Sequence, residues 1–307
     1  MISIFYKTLK DKKFKKVTEA KPGSWINVDM ATNEDLDKIS EMTGLQMTDL
    51  RDTLDPYELP RVERQEEGFI IYTRYPTEEN EELYTELMTI ILTDEYLITI
   101  SPTRNPLIEK MIDQATKIAT TQKIKLILKL LLKVAQEYTL KTKQVSSKVP
   151  RGRRELKRID SKDFIVLAQS EETLNQYISA LVLMNNSLET TISKKYISVR
   201  EEDKDILEDL IIGFKQSADL CNLSIKSIRG IRDSYQVIFT NNLNKIIKIL
   251  TVMTILLSIP TMIGGLYGMN ILLPFQDNPM VFAYLMWITI LIWAIAFVIF
   301  YYKKWLQ

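Results

Sequence analysis

The sequence predicts an α+β domain, followed by a long helical stalk and a C-terminal hairpin of two transmembrane helices. Three observations support this fold class. Short apolar runs alternate with helical segments in residues 1–103, which is typical of mixed α and β structure. No proline occurs from 151 to 259, so long helices can run through this part without interruption. Two long stretches without a charged residue close the chain.

Residues 1–103 contain strand-length apolar runs and two short helices. The segment 33–42 is predicted to be a helix, because Thr32 or Asn33 suits its N-cap and Gly44 follows its end. The segment 47–54 is predicted to be a second helix. The predicted strands are 2–9, 25–28, 69–75, 87–92 and 96–100.

A helical region is predicted for residues 104–198, and a stalk helix for 199–245. The helical region is expected to begin near Pro106, and helical patterns then cover 124–142 and 163–192. A further pattern starts near Val199 and meets no helix breaker before Pro260. The stalk helix is therefore expected to continue directly into the first apolar stretch.

The two apolar stretches, 249–276 and 278–302, carry no charged side chain. Each exceeds the roughly 20 residues that an α-helix needs to cross the hydrocarbon layer. Buried core helices of a soluble protein are the alternative, but such helices rarely run this long without a charge. The predicted segments are transmembrane helices at 246–266 and 279–302, an outer loop at 267–278 and a basic tail at 303–307.

Lysines flank this hairpin on one side only. Lys245 and Lys248 precede the first helix and Lys303 and Lys304 follow the second, whereas the loop has no Lys or Arg. The positive-inside rule places both termini in the cytosol. The N-terminal segment lacks the apolar core of a signal peptide. We therefore expect a cytosolic N-terminal domain and a hairpin in the cell membrane, most simply of a prokaryote.

Composition narrows the chemistry. The net charge of +1 gives no signal for nucleic acid, so no such partner is expected. With one cysteine, Cys221, and no histidine, a bound metal must be held by oxygen ligands, which suit hard cations such as Mg²⁺. The segment 141–158 carries eight Lys or Arg residues. It could bind anionic lipid or nucleic acid, but a solvated helix face is the favoured interpretation.

Steps of three and four residues along the first apolar helix pick out a polar face. Its members are Asn244, Ile247, Thr251, Thr254, Ser258, Thr261 and Gly265. Two explanations fit such a stripe. It could serve close helix packing, with hydroxyls bonded to the carbonyls of their own helix, or it could line a water-filled pore. The pattern alone does not separate them.

Two helices cannot enclose a path for ions, so a pore would need several chains that each contribute this face. Such a pore would have no charged ring in the membrane. Mg²⁺ keeps much of its water shell at most sites, and rings of hydroxyls and amides can hydrogen-bond that shell without removing it. Ile247 and Leu250 would form an apolar constriction that closes the pore by excluding water.

The segment Tyr267-Gly268-Met269-Asn270 ends the first of the two C-terminal apolar helices. In that position it resembles the signature of the CorA family of magnesium channels. The resemblance covers the whole plan of an α/β domain, a stalk helix, a hairpin and a basic tail. It implies a homopentamer in the membrane lipid that transports Mg²⁺, Co²⁺ and Ni²⁺. It also implies that Gly268, Met269 and Asn270 form an outer filter for hydrated divalent cations.

The resemblance extends to the pore. It implies that Asn244 and Thr261 face the pore, on the same side as the polar face described above. The chain departs from the family in the loop, where a Met-Pro-Glu run is common. Here the loop reads Leu-Pro-Phe-Gln-Asp, and Asp277 is its one acid. The role of a loop acid in attracting cations is therefore left open for this chain.

The resemblance also implies that the channel closes when cytosolic Mg²⁺ binds acids between neighbouring chains. Asp209 is the expected ligand on the stalk, from its distance before the signature. A solvated acidic helix start is the alternative, because acids are stabilised at a helix N-terminus. The residues expected to hold this regulatory Mg²⁺ are Asp205, Glu208 and Asp209 on the stalk and Glu78 and Glu79 in a loop between two strands.

Two other functions remain as alternatives. A zinc transporter of the same superfamily ranks lower, because those proteins commonly depart from Met in the signature and this chain has no His. A membrane-anchored cytosolic scaffold would use the hairpin only as an anchor. An enzyme is not expected, because the sequence has no His, no phosphate-binding Gly loop and no Cys/His metal cluster.

Overall fold

The computed structural model describes residues 1–65, 68–80, 82–113, 118–149, 161–193, 200–271, 274 and 278–303. The chain forms two compact units, Met1–Ile231 and Arg232–Gln307. The first unit contains a β-sheet with its covering helices. The second contains the apolar hairpin, which consists of the end of one long helix, a loop and one further helix. The predicted loop acid Asp277 and tail residue Lys304 lie outside the described residues.

A mixed β-sheet forms the centre of the first unit. Its strands are β1 (Ile2–Tyr6), β2 (Lys15–Val17), β3 (Trp25–Asp29), β4 (Arg61–Gln65), β5 (Gly68–Glu79), β6 (Glu82–Thr93) and β7 (Leu97–Ser101). Among the described residues the strand order is β2-β1-β3-β7-β6-β5-β4. The β3–β7 pair is parallel and the other neighbours are antiparallel.

The five predicted strands are confirmed, but the sheet differs from the prediction in two respects. The edge strands β2 and β4 are short and mostly polar, so they carry no apolar alternation and form through hydrogen bonds to their neighbours. In addition, β5 and β6 pair as far as Glu79 and Glu82. The prediction that Glu78 and Glu79 lie in a loop is wrong. The turn at Asn80 (φ 50°) is tight enough for pairing to continue to the strand ends.

Local signals at the first helix were sufficient to locate it. Helix α1 (Asn33–Thr43) starts at a capping box, in which the amide of Asp35 donates to Thr32 Oγ1 at 3.3 Å and the amide of Thr32 donates to Asp35 Oδ2 at 3.3 Å. It ends at Gly44, whose φ of 71° favours glycine. The second predicted helix is present as α2 (Met47–Arg51) with a following 3₁₀ turn.

Helices cover both faces of the sheet. Helices α1 and α2 pack on one face, where Leu36, Ile39 and Leu50 join the apolar side chains of the strands. The other face is covered by α3 (Pro106–Asp113), α4 (Lys123–Lys148), α5 (Ser161–Ser193) and the first part of α6 (Lys204–Tyr267). This second core includes Trp25, Ile71, Leu131, Leu181 and Phe214. Each such buried side chain stabilises the fold by roughly 1.5–3 kcal/mol.

The first part of α6 is tied to its neighbours by polar contacts as well as by the core. Ser217 Oγ lies 2.8 Å from Thr139 Oγ1 of α4, and Ser224 Oγ lies 2.8 Å from Ser146 Oγ. Ion pairs join α6 to α5. Lys215 lies 3.1 Å from Glu189, and Arg229 lies 2.7 Å from Glu171. The predicted start of the stalk helix at Val199 lies outside the described residues, and α6 follows a 3₁₀ turn at Glu201–Asp203.

The second unit holds the end of α6 and α7 (Val281–Tyr302). Both helices are long and apolar enough to cross a membrane, with mean hydropathy of 2.1 and 2.4 in their most apolar windows. Those windows are only 11% and 0% buried, whereas the core helix of a soluble protein is mostly buried. Pro260 lies inside α6, which continues to Tyr267.

Candidate functional site

The apolar hairpin has one packed face on each helix. On α6 the residues with reduced exposure are Val252, Leu256, Ile259 and Ile263, whose spacing of three and four places them on one side. On α7 the partly buried residues are Val281, Leu285, Thr289, Ala296 and Phe300. These helices form the second unit, so we assign the two faces to their mutual contact.

The polar face of α6 points away from that contact. At 100° per residue, the direction of Asn244 through Gly265 lies roughly 140° from the direction of the packed face. Every member of the polar face is exposed in the single chain. The hydroxyl stripe therefore lies on a different side of α6 from the residues with reduced exposure.

The hydroxyls of this face all bond to their own helix. Thr251 donates to the carbonyl of Ile247 at 2.8 Å, and Thr254 donates to that of Leu250 at 2.8 Å. Ser258 and Thr261 donate in the same way, at 2.9 Å each. Such bonds satisfy the hydroxyl hydrogen inside a membrane helix. They leave each oxygen able to accept a further hydrogen bond but not to donate one.

The segment Gly268-Met269-Asn270 follows the last residue of α6 directly. The amide of Gly268 donates to the carbonyl of Gly264 at 2.9 Å, and a Cβ at position 268 would lie 3.2 Å from that oxygen. Glycine therefore allows the chain to leave the helix close to its last turn. The side chain of Asn270 is exposed and makes no hydrogen bond within the described part of the chain. Its amide is free to meet a ligand.

The other end of α6's apolar segment carries exposed aliphatic side chains. Ile247 is 51% exposed and Leu250 is 65% exposed, and Asn244 lies one turn before Ile247 on the polar face. Both side chains thus keep half or more of their surface exposed in the single chain. They are available to form a ring if several α6 helices surround an axis.

The expected regulatory acids fall into two groups. Glu78 and Glu79 end β5, where Glu78 Oε2 lies 2.6 Å from Lys141 Nζ and both its oxygens accept from Gln144, at 3.0 and 2.9 Å. The hydrogen bond from Lys141 lowers the pKa of Glu78. The carboxylate of Glu79 accepts from the hydroxyl of Tyr84 at 2.9 Å. No sequence pattern indicated Lys141 and Gln144 as partners of Glu78, because both lie more than 60 positions away on α4.

The second group lies at the start of α6. Asp205, Glu208 and Asp209 are exposed there, and no described contact joins them to Glu78 or Glu79. Asp203 beside them is buried, and Lys125 Nζ lies 3.2 Å from its Oδ1. Over the described residues no group of three or more Asp, Glu or Cys side chains forms a metal-binding arrangement. A shared site would have to draw ligands from two chains.

Comparison with known proteins gives concordant matches. A family model described as CorA-like Mg2+ transporter protein matches residues 21–304. The cobalt/magnesium transport protein CorA of Methanocaldococcus jannaschii is 26% identical over 294 residues, which cover 91% of this chain and 88% of that protein.

One solved structure matches the fold over nearly its full length, and a second matches part of it. The complete structure of the CorA magnesium transporter from Methanocaldococcus jannaschii has a TM-score of 0.82 at 22% identity, covering 99% of this chain and 98% of that one. The cytoplasmic domain of ZntB from Vibrio parahaemolyticus has a TM-score of 0.62 at 9% identity, covering 78% of this chain and 98% of that one. The predicted fold class is confirmed. Because the family match spans most of the sequence, the chain belongs to the CorA family.

Proposed function

We propose that this protein forms a membrane channel that carries hydrated divalent cations into the cell, Mg²⁺ foremost and Co²⁺ and Ni²⁺ with it. The observation that carries the proposal is the family match over residues 21–304, which includes both apolar helices and the Gly268-Met269-Asn270 segment. The curated relative, named for cobalt and magnesium transport, supports the choice of ions.

The channel is assembled from several copies, five by the family resemblance. The polar face of α6 turns toward the central axis, and the rest of the hairpin meets the membrane lipid. This arrangement is supported by the exposure of the polar face and by its position roughly 140° from the face that packs on α7. A hydroxyl stripe left toward hydrocarbon would gain no partner outside its own helix.

Selection occurs at the outer end. The amide of Asn270 and the backbone carbonyls of Gly268 and Met269 accept hydrogen bonds from the water shell of the ion. Mg²⁺ releases this water reluctantly. A filter that binds the intact water shell therefore costs less free energy than one that removes the shell. With the termini in the cytosol, a negative interior drives a divalent ion inward by about 4.6 kcal/mol per 100 mV.

Closure is assigned to rings of Ile247 and Leu250, which exclude water when the chains approach. Cytosolic Mg²⁺ bound between chains by Asp209, with Asp205 and Glu208 nearby, would screen repulsion and favour the closed state. Glu78 and Glu79 of a neighbouring chain are the partners in this proposal. Glu78 already binds Lys141, so Mg²⁺ would have to displace that ammonium group.

Two alternatives remain to be tested against the channel. The likeness to the ZntB domain is at 9% identity and concerns the fold, so it adds no weight to zinc as the cargo. A scaffold that uses the hairpin only as an anchor would have no need for the exposed polar face on α6.

The test is ion uptake into liposomes that contain the purified full-length protein. Asn270→Ala is expected to reduce Mg²⁺ uptake roughly tenfold or more, because it removes a charge-neutral ligand group from every chain. Asn242→Ala, which lies off the polar face, is the matched control and should leave uptake unchanged. Equal uptake in all three proteins would remove the filter from the mechanism. No uptake by the parent would favour the anchor, and faster uptake of Zn²⁺ than Mg²⁺ would favour the zinc transporter.

A further inference from the structure

The hydroxyls of α6's polar face share a single hydrogen-bond polarity. A Ser or Thr hydroxyl has one hydrogen to donate and two lone pairs to accept with. In Thr251, Thr254, Ser258 and Thr261 that hydrogen is committed to a carbonyl of α6 itself. While these bonds hold, each oxygen can only accept a hydrogen bond from the side that faces away from the helix.

This polarity distinguishes the water shells of cations and anions. Water bound to a cation turns its oxygen toward the ion and its hydrogens outward. Water bound to an anion turns one hydrogen inward and presents its other hydrogen and its lone pairs outward. A wall of acceptors can therefore bond every outward hydrogen of a cation's shell, whereas in an anion's shell it leaves the outward lone pairs without a donor.

We propose that these four hydroxyls form an acceptor-only wall that selects hydrated cations over anions along the pore. The inference rests on the proposed channel function and deepens it. It assigns charge selectivity to a stretch of α6 that contains no charged residue, separately from the outer filter at Asn270. The hydroxyl oxygens, whose hydrogens are bound to carbonyls of the helix, take the place of a ring of carboxylates.

The hairpin supplies its own control residue. Thr289 of α7 also donates to a carbonyl of its own helix, that of Leu285, at 2.7 Å. It lies on the partly buried face of α7, which we assign to the contact with α6. Thr289 therefore has the same local hydrogen bond as Thr254 without access to the polar side. If back-bonding only serves to satisfy the hydroxyl, the two threonines should respond alike to replacement by the isosteric Val.

The experiment uses the full-length protein in liposomes, with Mg²⁺ uptake and the diffusion potential in a chloride gradient as readouts. Thr254→Val is expected to lower Mg²⁺ uptake about tenfold, because each chain loses one acceptor for the water shell. Thr289→Val is expected to match the parent, and Thr254→Ser, which keeps the hydroxyl, should restore most of the uptake lost in Thr254→Val. Thr254→Asn adds amide hydrogens among the hydroxyls, beyond those of Asn244 at the start of the face, so it should raise the chloride permeability above that of the parent.

Each outcome bears on one claim. If Thr254→Val transports Mg²⁺ as the parent does, or if Thr254→Asn has the same chloride permeability as the parent, the acceptor wall is overturned and the channel function stands. If the parent gives no uptake, the channel function itself fails. Size-exclusion chromatography establishes that each variant assembles. Should Thr254→Val fail to assemble, Thr251→Val and Thr261→Val put the same question to the neighbouring turns.

Discussion

The two ends of α6 use small polar side chains in different ways. In the first unit, Ser217 and Ser224 meet hydroxyls of α4, and Thr142 of α4 lies 3.0 Å from the sulfur of Cys221. In the apolar hairpin, the hydroxyls of the polar face bond to α6 itself and lie roughly 140° from the packed face of α6. The same residue types thus join helices within the chain at one end and leave a polar surface at the other. We take this contrast to mark where contacts within one chain give way to a surface used between chains.

The largest difference between the two faces of α6 is expected in the rate at which introduced cysteines react. Cys221 is the chain's one native cysteine, so the background reaction is limited to that residue. It is buried, and burial raises its pKa to about 11, so at pH 8 the thiol stays neutral and should not react. Thr254→Cys should react with a water-soluble thiol reagent in the assembled channel. Leu256→Cys, on the packed face, is the control and should react far more slowly. Equal reactivity at 254 and 256 would contradict a water-filled path on the polar face.

The packed end of α6 should respond strongly to loss of core volume. Phe214 is 1% exposed in the core shared by the sheet and α4. Phe214→Ala is expected to lower the free energy of unfolding of the first unit by about 3–5 kcal/mol, through lost burial and a residual cavity. Hydrogen-exchange mass spectrometry of that unit measures the change. Ile212→Ala, at a site that is 50% exposed, is the matched control, and a comparable loss there would argue against this packing.

Hydroxyl removal should separate the two ends of α6 more finely. Ser217→Ala breaks the contact with Thr139 Oγ1 at 2.8 Å and a bond to the carbonyl of Ala135 at 3.0 Å. We expect a loss of about 1–2 kcal/mol, because Ser217 is buried and its hydroxyl loses both of these contacts. Thr261→Val in the hairpin should change stability by no more than about 0.5 kcal/mol. Thermal unfolding of the two variants in detergent measures both changes in stability. Similar losses of stability in the two variants would contradict the difference between the two ends of α6.

The smallest effect is expected at Lys141. Lys141→Gln removes a partly exposed ion pair, so stability should fall by no more than about 1 kcal/mol. Because the pKa of Glu78 is lowered from 4.5, the stabilisation by this pair is complete above that pH and is lost as the pH falls through the lower folded value. Pulse proteolysis of the parent and of Lys141→Gln, at pH 7 and at lower pH, measures this contribution to stability.

The same variant tests the regulatory proposal. With Lys141 removed, Glu78 should be freer to bind Mg²⁺, and closure should require less internal Mg²⁺. Lys143→Gln, a nearby change that leaves the Glu78 pair intact, serves as the control. Unchanged inhibition in Lys141→Gln, or inhibition altered equally by both, would remove Glu78 from the regulatory site.

Features with local causes were predicted from the sequence. The cap at Thr32 and the glycine at position 44 lie within a few residues of the helix they bound, and the charge-free stretches define their helices by composition alone. Features with distant causes were missed. Strand β4 exists through its pairing with β5, and Lys141 meets Glu78 from 63 positions away. Neither leaves a periodic pattern at its own position.

The candidate site shows the same limit. Periodicity identified the polar face of α6, because side chains three and four apart share a side. It could not show that α7 packs on a different side, since that depends on which residues of α6 are covered. The roles of the filter, gate and regulatory residues stay predictions, because they require an assembly of several chains.

The arrangement of the first unit also sets an order for biosynthesis. Its sheet closes only after β7 is made, and its larger core closes only when α6 supplies Phe214 and Ile225. The charge-free stretch begins at 249, 24 residues after Ile225, and these take roughly 1–5 s to add at 5–20 residues per second. The sheet-containing unit can therefore fold on the ribosome before the hairpin reaches the insertion machinery. A defect that delays the formation of this core would leave the first part of α6 unpacked while its apolar end is already entering the bilayer.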